Sequence, residues 1–223
     1  MRQTNIPKRI TGKLAVTAQM FLAGFLFLVL QACEIREIDP QTGRAILDDE
    51  AAGFSAEEFV DENWDGQVIP TVELNAIDIH YLLALLETDP ETATQYGHRE
   101  GSRPYSYLVN GVAEVAEVDT SSRVGMIKLC GFEDSDQSVN ILIGPVISGT
   151  ALRDALPFIT FGQFINQLEF ADASREMHNR IQRTVLAEFD IEQAEGRQIQ
   201  FYGAFTHTGD EINITPVILD WAD

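Results

Sequence analysis

Cysteine, histidine and positive charge are all scarce in this sequence. Its 223 residues include 2 Cys and 4 His. Cys33 and Cys130 stand far apart, and His80, His98, His178 and His207 are widely scattered. There is no Cys pair and no H-E-x-x-H run, so no metal-ligand spacing is on offer. A glycine-rich nucleotide loop, a G-x-S-x-G elbow and an S-x-x-K motif are missing too. Lys and Arg number 15 against 35 Asp and Glu. A surface so acidic repels phosphate backbones, which argues against nucleic-acid partners and against charge-driven binding to anionic membranes. Among 35 carboxylates any spacing will occur, so carboxylate pairs say nothing about glycosidase chemistry. The expectation is a protein that is not an enzyme and carries no cofactor or metal.

What is present begins at the N-terminus. Residues 1–32 contain four cations, Arg2, Lys8, Arg9 and Lys13, and no Asp or Glu. Met20 to Leu30 is unbroken apolar chain, Gly24 included. A cationic start, a short apolar core and a small residue before a cut describe a secretory signal peptide. Its ending, Leu30-Gln31-Ala32-Cys33, resembles the lipobox of bacterial lipoproteins. That resemblance implies a diacylglycerol on the Cys33 thiol, cleavage before it and acylation of the new amino terminus. One acyl chain holds a membrane marginally, and two or three hold it stably. The competing reading is an uncleaved span over Leu14–Ala32, long enough to cross. Thr17, Gln19 and Gln31 dilute such a span, and the cysteine sits where cleavage needs it. Either way the remainder lies outside the cytoplasm. With Cys33 acylated, Cys130 has no disulfide partner. Its run GMIKLCG marks it as a small buried hydrophobe.

Without the leader the chain keeps 11 Lys and Arg against 35 Asp and Glu, a net charge of −24. Residues 33–53 are acidic and polar with Pro40 and read as a tether. Residues 54–101 read as an N-terminal helical segment. Phe54-Ser55-Ala56-Glu57-Glu58-Phe59 carries a capping box (Ser55, Glu58) and a Phe54–Phe59 staple. Leu74, Ile77, Tyr81, Leu82 and Leu85 then recur at helical spacing until Asp89-Pro90. From 102 to 223 the pattern is largely β. Two strands flank the turn DTSSR, a third spans 138–143, and two more run near 197–205 and 212–218. Between the third and fourth strands lies a long helical region. It starts near Ser148-Gly149-Thr150 and restarts near Thr160 after Pro157. Phe161, Phe164, Ile165, Leu168 and Ala171 are expected on one of its faces. Three strands, a helix and two strands is the order of an OB-fold, a five-stranded barrel in an α+β chain with an N-terminal helical appendage.

IGPVISGTALRDALPFITFGQFINQLEFA at 143–171, VDTSSRVG at 118–125 and YGAF at 202–205 resemble the DUF2291 family of predicted bacterial periplasmic lipoproteins. The likeness extends over nearly all the mature chain. It implies a protein on the periplasmic face of the inner or outer membrane. Members often stand beside sugar-type ABC transporter genes, which implies an accessory role in uptake with transporter components as partners. The family supplies no catalytic residues.

One polar constellation remains. Arg153 and Asp154 follow a helix start, and Asn166 and Gln167 lie on the next helical run. Together they could hydrogen-bond a saccharide or a protein partner, and Arg123, after Ser121-Ser122, is a further candidate. The bland alternative is that Arg153 pairs with a carboxylate while Asn166 and Gln167 tie a helix to the barrel.

Overall fold

The computed structural model describes residues 53–132 and 137–222. The signal peptide, the tether and Cys33 lie outside the described residues. From Phe54 onward the chain packs around one apolar core.

The helical segment opens with α1 (Ala56–Asn63). The Ser55 hydroxyl accepts from the Glu58 amide, and the Phe54 and Phe59 rings pack 5.7 Å apart. A wide turn (Trp64–Val68) leads into α2 (Ile69–Asn75), with Pro70 in its first turn, where the missing amide costs nothing. Ala76 then turns extended, and Ile77–Asp78 forms a two-residue strand, β1. Asp78 caps α3 (Ile79–Thr88), and Asp89 caps α4 (Pro90–Ala93). One turn at Thr94–Tyr96 precedes a second short strand, β2 (Gly97–His98). The periodic run from Leu74 to Leu85 is therefore two helices broken by a strand. Leu74 and Tyr81, expected on the apolar face, are exposed because the break rotates them out of register.

The barrel follows. Its strands are β3 (Ser106–Asp119), β4 (Met126–Leu129), β5 (Ser138–Leu142), β6 (Gln198–Thr206) and β7 (Glu211–Trp221). They pair in the order β3-β4-β5-β7-β6, and β6 returns to β3, which closes the barrel. All five pairings are antiparallel except β5 with β7. This is the Greek-key order of an OB-fold. Closure is possible because β3 serves two neighbours. Ser106–Glu114 pairs with β6, and the register slips between Val115 and Glu117, where β4 takes over. Ser106 to Val109 is buried on both faces, whereas alternation sets in after Gly111. The helical segment covers the outside of that first stretch, pairing β1 and β2 onto β3.

The connection from β5 to β6 carries α5 (Ala151–Ala155) and α6 (Gln167–Ile181), which continues in a wide turn to Leu186. The long helix starts at Gln167, not near Thr160. Phe161–Gln163 is a single tight turn, and Asn166 caps the helix. The helix docks on the segment through Arg180, 2.7 Å from Asp61 on α1.

Two of the motif blocks meet at Gly144. Ile143, Gly144 and Val146 donate their amides to the carbonyls of Gly125 and Arg123, joining IGP to SSRVG. A Cβ on Gly144 would lie 2.4 Å from the Val124 carbonyl carbon, so only glycine fits. Gly203 in YGAF lies beside the register shift opposite Pro216, with the Thr215 carbonyl 2.5 Å from where a Cβ would be. Cys130, expected to be buried, is half-buried because it lies just past the end of β4.

Candidate functional site

Arg153 and Asp154 come from α5, which the β5 exit loop sets against the barrel. Arg153 is 4% exposed. Its Nε and Nη2 both donate to Asp154 Oδ1, at 2.8 and 2.6 Å. Its Nη1 donates to the Phe170 carbonyl at 2.9 Å, and the guanidinium lies 3.6 Å from the centre of the Phe170 ring. A buried cation survives when every donor has a partner and a π-face covers it. Burial lowers the Arg153 pKa, and the Asp154 carboxylate opposes that shift. Arginine starts so high that the group stays charged. Arg153 is thus first a clamp between α5 and α6.

Asp154 is the more available partner. Its Oδ2 accepts from the Thr150 hydroxyl at 2.6 Å. Its Oδ1 also lies 3.6 Å from Arg103, whose side chain is half exposed. His98 Nδ1 donates to the Asp154 carbonyl at 2.8 Å and ties β2 to the same turn. Of these groups, Asp154, Thr150 and Arg103 edge an open cleft of about 580 Å³. Arg103, Thr150 and Asp154 line one part of it, and Thr206, Glu211 and Asn213 another. Guanidinium, carboxylate, hydroxyl and amide converge there, a donor and acceptor mixture that suits a neutral polyhydroxy ligand or a polar protein loop.

The other candidates lie elsewhere. Asn166 accepts from the Leu168 and Glu169 amides, at 2.8 and 3.0 Å, and so spends its side chain on capping α6. Gln167 is exposed in the first turn of that helix. Arg123 is exposed in the β3–β4 turn, where its carbonyl receives Val146. None of these three lines the cleft. The cleft residues missed by sequence reading, Arg103, Thr206, Glu211 and Asn213, come together only when β6 pairs with β3 and β7 with β5. The run THTGDE, 206–211, signalled a turn but not that its flanks face Arg103.

A second, smaller hollow of about 280 Å³ lies on the β4–β5 face, the face on which OB-folds hold oligomers. Glu117, Asp119 and Glu211 line it beside Lys128. Hydrogen bonds from the Ser121 hydroxyl and amide keep the Asp119 pKa low. So acidic a face disfavours a phosphate backbone. Among the described residues no His, Cys, Asp and Glu cluster is placed to hold a metal ion. No described helix is long and apolar enough to cross a membrane.

A family model for a predicted periplasmic lipoprotein, DUF2291, matches residues 23–220. The chain belongs to that family. The match takes in Cys33, the Gly144 junction and the whole α5–α6 connection of this lipoprotein. No curated protein matches it. Among solved structures it is similar to an OB-fold protein from Thermotoga maritima, at 20% identity and a TM-score of 0.60. The similarity covers 76% of this chain and 99% of that one, and it shows the fold alone.

Proposed function

We propose that this lipoprotein is a non-enzymatic binding component, tethered through Cys33, that engages a protein of a sugar-type ABC transporter at the periplasmic face. The cleft between Arg103 and Glu211 carries the binding role. Its groups serve as recognition groups: Asp154 already receives two guanidinium donors and a hydroxyl and so holds Arg153 and Thr150 in place. The transporter association rests on the gene neighbourhood that the resemblance implies. The test is a photo-crosslinking residue at Glu211 or Thr208 in the lipidated protein in intact cells. Recovery of a solute-binding protein or permease is expected. Crosslinks no different from those of the same residue placed at Glu87, on α3, would sink the reading.

A second reading is that the cleft takes a saccharide directly, favoured by its mixed donors and acceptors. A panel of sugars should then raise the unfolding temperature, and Arg103→Ala and Glu211→Gln should each abolish the rise. Both side chains are solvent-accessible, so neither substitution threatens the core. No rise with any sugar would remove this reading and leave the first intact.

A further inference from the structure

From the loop after α5 into the first turn of α6 the chain exposes three large apolar side chains within eight residues. Phe161 is 37% exposed, Ile165 86% and Leu168 73%. Single exposed hydrophobes are ordinary, but a group on one short stretch needs an account. The local structure holds them outward. Ile165 precedes the Asn166 cap, where a hydrophobic staple would fold it back onto Phe170. Phe161 and Phe164 occupy that ring instead, at 5.6 and 5.1 Å, so Ile165 is left in solvent. The amides of the stretch are satisfied: Ile165 donates to Glu169 Oε2 at 2.9 Å and Phe161 to Glu100 Oε1 at 3.3 Å. The Glu169 and Glu100 carboxylates are thus engaged with the backbone of the stretch.

The place of this stretch matters as much as its chemistry. Phe164 packs edge-on against Phe54 at 5.1 Å and against Phe59 at 5.4 Å. Phe54 is where the chain from Cys33 joins the body. Twenty residues lie between Cys33 and Phe54, so the lipid can be no more than about 70 Å away. An apolar protrusion thus adjoins the attachment point of a chain held to a bilayer.

We infer that Phe161, Ile165 and Leu168 form a foot that inserts into the interfacial zone of the membrane carrying the anchor. This rests on the lipidation of Cys33 proposed above. With a net charge of −24 the mature chain gains nothing from anionic headgroups, so contact must come from apolar side chains entering the acyl boundary. Insertion gives the tethered body an orientation that a tether alone does not supply. The foot is linked to the cleft through Phe170, whose ring meets Phe161 and lies under the guanidinium of Arg153, a cleft residue.

The test uses full-length lipidated protein in vesicles of phosphatidylethanolamine and phosphatidylglycerol. An environment-sensitive fluorophore is placed at Ile165→Cys in a Cys130→Ser background, and in a matched protein at Gly209→Cys in the β6–β7 turn. The expected result is a blue-shifted emission at 165, quenched by brominated lipids at least twofold more than at 209. Leu168→Asp added to the labelled protein should reverse the shift while the protein stays vesicle-bound. A label at 165 that remains water-exposed on anchored protein overturns the foot. Protection seen in cell membranes but not in protein-free vesicles overturns it too, since a protein then covers the stretch. Cys33→Ala separates the two layers: a variant that still fractionates with membranes defeats the anchor reading, whatever the label reports.

Discussion

His178 lies on the inner face of α6, buried, with no hydrogen-bond partner for Nε2. Burial first, and the charge of Arg153 second, push its pKa down to about 4 from an ordinary 6.5. The folded protein therefore refuses a proton that the unfolded chain accepts. His178 costs no stability above pH 6.5, costs progressively more as the pH falls toward 4, and adds no further loss below that. The full difference is about 3 kcal/mol. His178→Gln should flatten this part of the profile. Urea unfolding at pH 7 and pH 4.5 measures it: wild type should lose more stability across that interval than the variant. Equal losses would mean that other groups set the acid limit.

At the scale of single elements, the N-terminus of α6 decides what the motif FGQFINQLE, residues 161–169 of the block 143–171, is for. Asn166→Ala removes an acceptor from two helix amides and should cost about 1 kcal/mol, read by chemical denaturation, with Asn166→Asp nearly neutral. Binding at the cleft should not change. A loss of partner or ligand binding at unchanged stability would return Asn166 to the site. The same motif marks where spacing misleads. Apolar residues at 161, 164, 165 and 168 fit a helical face. A loop and helix cap in which Phe161 packs edge-on and Phe164 tilted against Phe170, while Ile165 and Leu168 are exposed, has the same spacing. Side-chain oxygens decide between them, and Asn166 three residues before Glu169 carried the signal. Where the cap was unmistakable, as at Ser55 with Glu58, sequence and structure agree. The strands were legible because β-rich runs ended at Gly, Pro and Asp-Thr-Ser-Ser turns that the barrel uses as turns.

For the whole molecule, strand order was readable because a helix falls between the third and fourth barrel strands, an order that the OB-fold has and other small five-stranded barrels can also follow. The cleft was not readable. Arg103 and Thr206 are 103 positions apart and line one cleft because Ser106 pairs with Thr206. Nor was the pairing of the helical segment onto the barrel edge, which rests on the four residues Ile77, Asp78, Gly97 and His98. β4 is short and covers β3 only from Val115 onward. On that side of the barrel the stretch from Ser106 to Asn110 has other neighbours: His98 and Gly97 against Ser106 and Tyr107, Ile77 and Asp78 against Val109 and Asn110. Without them this stretch would offer a ladder of vacant amides and carbonyls to any passing strand, the usual seed of edge-to-edge aggregation. Residues 54–101 thus cover an edge that would otherwise invite pairing with another chain. A chain trimmed to begin at 102 would keep all five barrel strands and lose the means of staying apart from its own copies.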